Sequence, residues 1–281
     1  MVVGIIGLGL MGASFAKTLK RAGNIAVFGT DSSAEVMKKA RLSSVIDEEL
    51  TTENAGKVDL LVAALYPRNF ASAVEPFLPH MKAGAAVVDF CGIKRPVISA
   101  MRKMAEEYPE IYFIGGHPMA GREYSGIGHA VSTLFDKASM ILVPVKDDIK
   151  RLAEMKAFFL SLGFSEVVVT KADYHDTMIA YTSQLCHVVS NAFIKNASAA
   201  SHAGYSAGSY RDLTRVARMN SRMWAELMTD NRDKLLIELD ELMENLSRYR
   251  EALDRGDEAA LQTLLEEGNE RKIDIDAGKY R

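Results

Sequence analysis

The run Gly7-Leu8-Gly9-Leu10-Met11-Gly12 constrains this chain more than any other stretch. It follows the apolar segment VVGIIG and opens MGASFAKTLKRAG, whose apolar residues recur at helical spacing. Alone, a GxGxxG run is weak evidence; between a strand and a helix it reads as a phosphate-binding turn. Each glycine has a separate task. Gly7 permits a tight turn, Gly9 lets the backbone approach a pyrophosphate, and Gly12 lets the helix pack closely on the strand. The helix beginning at Leu10 and Met11 points its free N–H groups toward the phosphates. A second strand, NIAVFGT, ends at Asp31, 19 residues past Gly12 (31 − 12). That is close to the ~20 expected of the acid that accepts hydrogen bonds from both ribose hydroxyls. A carboxylate there repels a 2′-phosphate, and Ser32 and Ser33 follow it with no arginine, so the expected cofactor is NAD rather than NADP. The plainer alternative makes Asp31 only the cap of the helix starting near Ser32.

Six more apolar runs follow VVGIIG (2–7), at 24–30, 59–65, 85–90, 111–116, 139–145 and 166–170. They are rich in Val and Ile and mostly continuous, as strands covered on both faces are. Helical patterns such as IKRLAEMKAFFLSLG separate several of them. Strand and helix in alternation predict a Rossmann-type, doubly wound, mostly parallel α/β sheet over residues 1–171. Near residue 171 the texture changes. DYHDTMIAYTSQLCHVVSNAFIKNASAAS reads as one long helix, and further helical patterns follow SHAGYSAGS. Residues 172–281 are therefore expected to form an all-α domain. The apolar stripe of LLIELDELMENL suits a core or dimer face.

Composition removes several function classes. The 281 residues carry a formal charge of -3 and no long basic run, which argues against nucleic acid or an anionic membrane as main partner. Cys91 and Cys186 have no CxxC spacing, so neither a disulfide framework nor a metal site is expected. No apolar run reaches the ~18 residues of a membrane span. With no secretory pattern at the start, the expected location is cytoplasmic.

Three polar segments stand where chemistry is expected, at strand ends and on the helical part. The first is Gly115-Gly116-His117-Pro118-Met119-Ala120-Gly121-Arg122-Glu123-Tyr124-Ser125-Gly126, directly after a buried strand. The second holds His175-Asp176 and Ser183-Gln184-Leu185-Cys186-His187. In an unbroken helix, Asp176, Ser183 and His187 fall within about 40° of one another and share a face. The third is Tyr210-Arg211-Asp212-Leu213-Thr214-Arg215-Val216-Ala217, then Met223-Trp224.

GLGLMG, HPMAGxExxG, HD…S…H and RDLTRVA…MW, in that order, resemble the prephenate dehydrogenase family across nearly the whole chain. The resemblance implies an NAD-binding domain followed by a helical dimerisation domain, and a small-molecule substrate turned over by a homodimer. It implies oxidative decarboxylation of prephenate to 4-hydroxyphenylpyruvate in tyrosine biosynthesis, or the same reaction on arogenate. On this resemblance His117 accepts the proton of the substrate hydroxyl, a task that suits imidazole near neutral pH. Arg215 clamps a carboxylate, His187 meets the substrate's side-chain end, and Glu123 lies near the pocket mouth.

Three departures matter. In the family's DxxSxK-like run, Gly92 stands at the serine's place in Asp89-Phe90-Cys91-Gly92-Ile93-Lys94. The serine's hydrogen bond comes from Ser125 or water, or is absent. The common SHLPH reads Ser183-Gln184-Leu185-Cys186-His187, so one histidine is lost. Arg122 replaces a small residue and favours a dianionic substrate or alters access. Plainer readings make His117 a loop residue satisfied by backbone, His175 an ordinary first-turn helix residue and Arg215 an ion-pair partner of Asp212 or Glu123. A 3-hydroxyacid dehydrogenase would place a catalytic lysine on the long helix, and 174–194 contains none. A non-catalytic NAD sensor would need the glycine turn but not His117 and Arg215 together.

Overall fold

A computed structural model describes residues 1–122 and 124–279. Its strands are β1 (Val2–Ile6), β2 (Ala26–Thr30), β3 (Glu48–Glu49), β4 (Leu60–Ala63), β5 (Ala86–Asp89), β6 (Tyr112–Pro118), β7 (Ser139–Pro144) and β8 (Glu166–Val169). They form one sheet in the order β3-β2-β1-β4-β5-β6-β7-β8. β6 and β7 pair antiparallel and the other neighbours run parallel. All seven apolar runs are strands. β3 has no apolar signal; Glu48 and Glu49 become a strand only by pairing with Phe28 and Gly29 of β2.

The helices of the first part are α1 (Leu10–Ala22), α2 (Ala34–Leu42), α3 (Phe70–Val74), α4 (Arg95–Glu107) and α5 (Ile149–Ser161). Every residue of β4 and β5 is buried, which is why their apolar runs are unbroken. One face packs a phenylalanine cluster. The Phe15 ring meets Phe90, Phe135 and Phe159 at centroid distances of 4.9, 5.9 and 6.2 Å. The other face packs Phe70, Ile98, Met101 and Phe113. Because β1, β4, β5 and β6 run parallel, their carboxyl ends share one edge of the sheet. The glycine turn after β1 and His117 at the end of β6 therefore sit on that edge, three strand spacings or about 14 Å apart.

The expected single long helix is corrected. It divides into α6 (Ala172–Ile179), a π-helical turn at Ala180–Leu185 and α7 (Cys186–Phe193). The π turn inserts roughly one extra residue, which rotates everything after it. Asp176, Ser183 and His187 consequently do not share one face as the unbroken phase required. Gln184 turns inward instead, donating to the Leu227 carbonyl at 3.1 Å and accepting from the Asn231 amide at 2.9 Å. The helix stops before KNASAAS, whose Asn and Ser side chains compete for backbone hydrogen bonds. α8 (Gly208–Thr214) and α9 (Ser221–Asp230) follow, the latter capped by Asn220, which accepts from the Met223 N–H at 3.1 Å.

The chain divides into two compact units, Met1–Asn231 and Arg232–Arg281. The boundary expected between residues 171 and 172 falls inside the first. The second unit is a hairpin of α10 (Arg232–Asp254) and α11 (Glu258–Asp276). Asp257 caps α11 by accepting from the Ala260 N–H at 2.9 Å, and the Tyr249 hydroxyl donates across the hairpin to the Leu264 carbonyl at 3.1 Å. Leu236, Ile237, Met243, Leu246, Leu253 and Leu265 remain exposed on it. No described helix is long and apolar enough to cross a membrane.

Phe15 is fully buried and touches three other aromatic rings, so Phe15→Ala is expected to lower unfolding stability by about 3–5 kcal/mol. Urea unfolding of both proteins measures it, and a change under about 1 kcal/mol would show that this cluster does not hold the sheet face.

Candidate active site

The glycine turn has the geometry its sequence requires. Gly7 adopts φ +88°, and a Cβ on it would lie 2.5 Å from the Ala64 carbonyl oxygen. A Cβ on Gly12 would lie 1.9 Å from the Gly7 carbonyl oxygen, so only glycine lets α1 approach β1 this closely. Gly9 faces open space, where a Cβ would meet no atom within 4 Å. Gly9 is also the N-cap of α1 and supplies no side-chain acceptor, so the first-turn N–H groups at Leu10 and Met11 are left to an anion. Asp31 accepts from the Leu8 N–H at 2.8 Å and from the Ser33 N–H at 2.9 Å. It is not the cap of α2; Ser33 is, accepting from the Val36 N–H at 3.4 Å. A carboxylate has about four acceptor positions, so Asp31 keeps capacity for ribose hydroxyls. An open cleft of about 470 Å³ lies beside it, lined in part by Met37, Lys38 and Arg41. These residues fit a dinucleotide.

At the other end of the same edge, buried polar groups converge on His117. The ends of β5 and β6 are tied by the fully buried Asp89 and Lys94. Asp89 accepts from the Gly116 N–H at 3.0 Å and the Cys91 N–H at 2.9 Å and pairs with Lys94, whose ammonium also donates to the Gly116 carbonyl at 2.7 Å. Gly116 admits this closeness, since a Cβ there would lie 2.6 Å from the Asp89 carbonyl oxygen. The next residue, His117, is half-buried, and its Nδ1 lies 2.9 Å from His175 Nε2. His175 Nδ1 lies 2.7 Å from Asp176 Oδ1. Asp176 also accepts from the N–H groups of Lys94 (2.7 Å) and Arg95 (2.9 Å) and from Arg95 Nε (3.2 Å). Asn231 closes the network, donating to the Asp176 carbonyl at 2.8 Å while accepting from Arg95 at 2.8 Å.

The electrostatics follow from these contacts. Burial, then His175, then the Lys94 cation hold the His117 imidazole well below its ordinary value. Burial also lowers His175, against the pull of Asp176. Burial opposes ionisation of Asp176, yet the His175 hydrogen bond and the Arg95 and Lys94 N–H groups hold it below the usual carboxylate range. Burial pushes the Cys91 thiol up, so it is no ready thiolate nucleophile.

The other expected residues fall elsewhere. His187, on α7, donates through Nδ1–H to the Ser183 carbonyl (2.8 Å) and stacks on Trp224 with centroids 3.8 Å apart. Because that partner is a carbonyl, Nδ1 carries the hydrogen. Burial lowers His187 against the pull of the Ser183 hydrogen bond, and the Arg215 cation lowers it further. Arg122 is exposed, donates to the His129 carbonyl at 3.4 Å and lies over the Tyr124 ring. Ser125 is exposed, and the partner of His117 Nδ1 is His175. Glu123 lies outside the described residues. The His175-Asp176 pair is visible in the sequence without a task, and in DFCGIK the departure at Gly92 draws attention away from Asp89 and Lys94. Arg95 and Asn231 carried no motif signal, and Gln184 registered only as the place of a lost histidine, because only tertiary packing brings the three together beside Asp176.

Residues 15–168 match the family model described as prephenate dehydrogenase, nucleotide-binding domain, and residues 171–267 match prephenate dehydrogenase, dimerization domain. The chain is 28% identical over 261 residues to a cyclohexadienyl dehydrogenase of Zymomonas mobilis, covering 89% of this chain and 88% of that one. Among solved structures, it resembles Aquifex aeolicus prephenate dehydrogenase in complex with hydroxyphenyl propionate and NAD+, with TM-score 0.83, 26% identity and 98% of each chain covered. It also resembles Synechocystis arogenate dehydrogenase, with TM-score 0.79, 25% identity and all of both chains covered. With both family models matched across most of its length, the chain belongs to the prephenate dehydrogenase family.

Proposed function

We propose that this chain is an NAD-dependent prephenate dehydrogenase, which oxidises and decarboxylates prephenate to 4-hydroxyphenylpyruvate in the making of tyrosine. The observation that carries this reading is His117, half-buried and neutral, held on the sheet edge that also bears the glycine turn. Gly7, Gly9, Leu10, Met11 and Gly12 hold the pyrophosphate, and Asp31 holds the ribose hydroxyls. When bound, the nicotinamide supplies the hydride acceptor.

His117 takes the proton of the C4 hydroxyl as hydride leaves C4. The C1–carboxylate bond then breaks, carbon dioxide departs, and its bonding electrons complete the aromatic ring, leaving a phenolate that takes the proton back from His117. A neutral imidazole is required for the first step, and burial beside Lys94 keeps it neutral. Arg215 clamps a substrate carboxylate, with His187, held rigid on Trp224, beside it. Ser125 and Arg122, exposed after β6, line the approach to the substrate. Arogenate is the second reading. It differs by an amino group in place of a keto group, and relatives named cyclohexadienyl and arogenate dehydrogenase favour it. The enzyme works as a homodimer through its helical part, supported by the dimerization-domain match and the exposed apolar residues of α10 and α11.

Purified protein with NAD and prephenate is expected to form NADH and 4-hydroxyphenylpyruvate, at higher kcat/KM than with arogenate and far higher than with NADP. No NADH with either substrate would discard the proposal. Replacing His117 by Asn is expected to cut kcat by about 10²–10⁴-fold, while Arg215→Ala mainly raises KM. Steady-state kinetics in which both variants match the parent would remove these assignments. The acid limb of kcat/KM is expected below the ordinary histidine value of 6.5. The base form of His117 survives as pH falls through 6.5 and is lost only at its own lower pKa. An acid limb at or above 6.5 contradicts the burial argument.

A further inference from the structure

We propose that His175 and Asp176 are positioning residues that fix His117 in a single tautomer, with the proton on Nδ1 and Nε2 left open as the proton-accepting atom. The inference rests on the reading of His117 as the base and adds which nitrogen acts and what determines it. Four donors converge on the fully buried Asp176 carboxylate: the N–H groups of Lys94 and Arg95, Arg95 Nε and His175 Nδ1. Two of these N–H groups lie at the start of α4, where the helix dipole favours negative charge. Asp176 is therefore an ionised, acceptor-only partner, and His175 Nδ1 must carry a hydrogen.

A buried, neutral His175 then has only a lone pair on Nε2. That lone pair faces His117 Nδ1 at 2.9 Å, so His117 Nδ1 is the donor and Nε2 is bare. The opposite arrangement would need a cationic His175 in a buried cluster that already holds the Lys94 ammonium. The titratable and charged groups facing His175 are Lys94, Asp176 and Asp89, and those facing His117 are His175 and Lys94. Once Nε2 takes the substrate proton, the positive charge on His117 is linked through the Nδ1–H bond to His175 and the Asp176 carboxylate. Passage of the Nδ1 proton to His175 Nε2 leaves the cation on His175, in direct contact with its counter-ion. This arrangement compensates for the cost of charging an imidazole that burial holds neutral.

The test begins with the protein alone. With ¹⁵N-labelled histidine, nitrogen-to-carbon-proton correlation spectra are expected to show His117 as the Nδ1–H tautomer. In Asp176→Asn, the amide can donate to His175 Nδ1, which reverses both rings and puts the His117 proton on Nε2. Its kcat is expected to fall by about 10²–10⁴-fold with KM nearly unchanged. Because Asp176→Asn also touches the start of α4, two further variants guard the test. His175→Gln keeps an acceptor opposite His117 Nδ1 and should retain at least tenfold more kcat than His175→Leu, which keeps none. An Nε2–H tautomer in the parent protein, or a His175→Leu variant with parental kcat, would overturn the proposal. The spectra need no substrate. An Nδ1–H His117 in a protein that turns over neither prephenate nor arogenate would sink the functional reading while leaving the tautomer assignment standing.

Discussion

A buried carboxylate is costly unless donors surround it, and Asp176 is the point at which this chain meets that condition. Its four donors come from the start of α4, from the Arg95 side chain and from its own neighbour His175. Asn231 and Gln184 complete the shell through the Asp176 carbonyl and each other. The carboxylate thereby fixes α6 against the loop that follows β5. It also sets His175 directly behind His117. If Asp176 were not satisfied, neither the helix docking nor the histidine pair would hold its geometry.

The sheet performs the complementary task of bringing distant sequence positions to one edge. Parallel β1, β4, β5 and β6 place the glycine turn and His117 there, although more than a hundred residues separate them. The Asp89–Lys94 pair then locks the ends of β5 and β6 together and satisfies both backbone groups of Gly116. A buried ion pair of this kind contributes little net stability, but losing either partner would strand the other charge. Its value here is geometric, because the residue it pins is the one before His117.

Much of the architecture was legible in the sequence. Continuous Val- and Ile-rich runs announced seven strands, because strands covered on both faces cannot alternate. The glycine spacing announced the nucleotide turn because no other residue fits at Gly7 or Gly12. β3 was hidden, since Glu48 and Glu49 owe their conformation to backbone pairing alone. The π turn was hidden too. Periodicity arguments assume a constant rotation per residue, and one inserted residue defeated the shared face of Asp176, Ser183 and His187. His117 stood out through its motif. His175 stood out in the HD pair as well, but its contact with His117 did not, because that contact spans 58 residues and only folding creates it.

Gly92 leaves one further mark on the molecule. A Cβ there would lie 3.3 Å from Leu227 Cδ1 and 3.4 Å from Cδ2, so α9 leans its leucine into the space a larger residue would fill. Positions 92 and 227 are thus tied as a pair, and their substitutions should act non-additively. A side chain at position 92 makes the tip of Leu227 give way by a few tenths of an ångström, while shrinking 227 alone opens a void above the loop, so the packing of this loop is decided on α9 as much as in the loop itself.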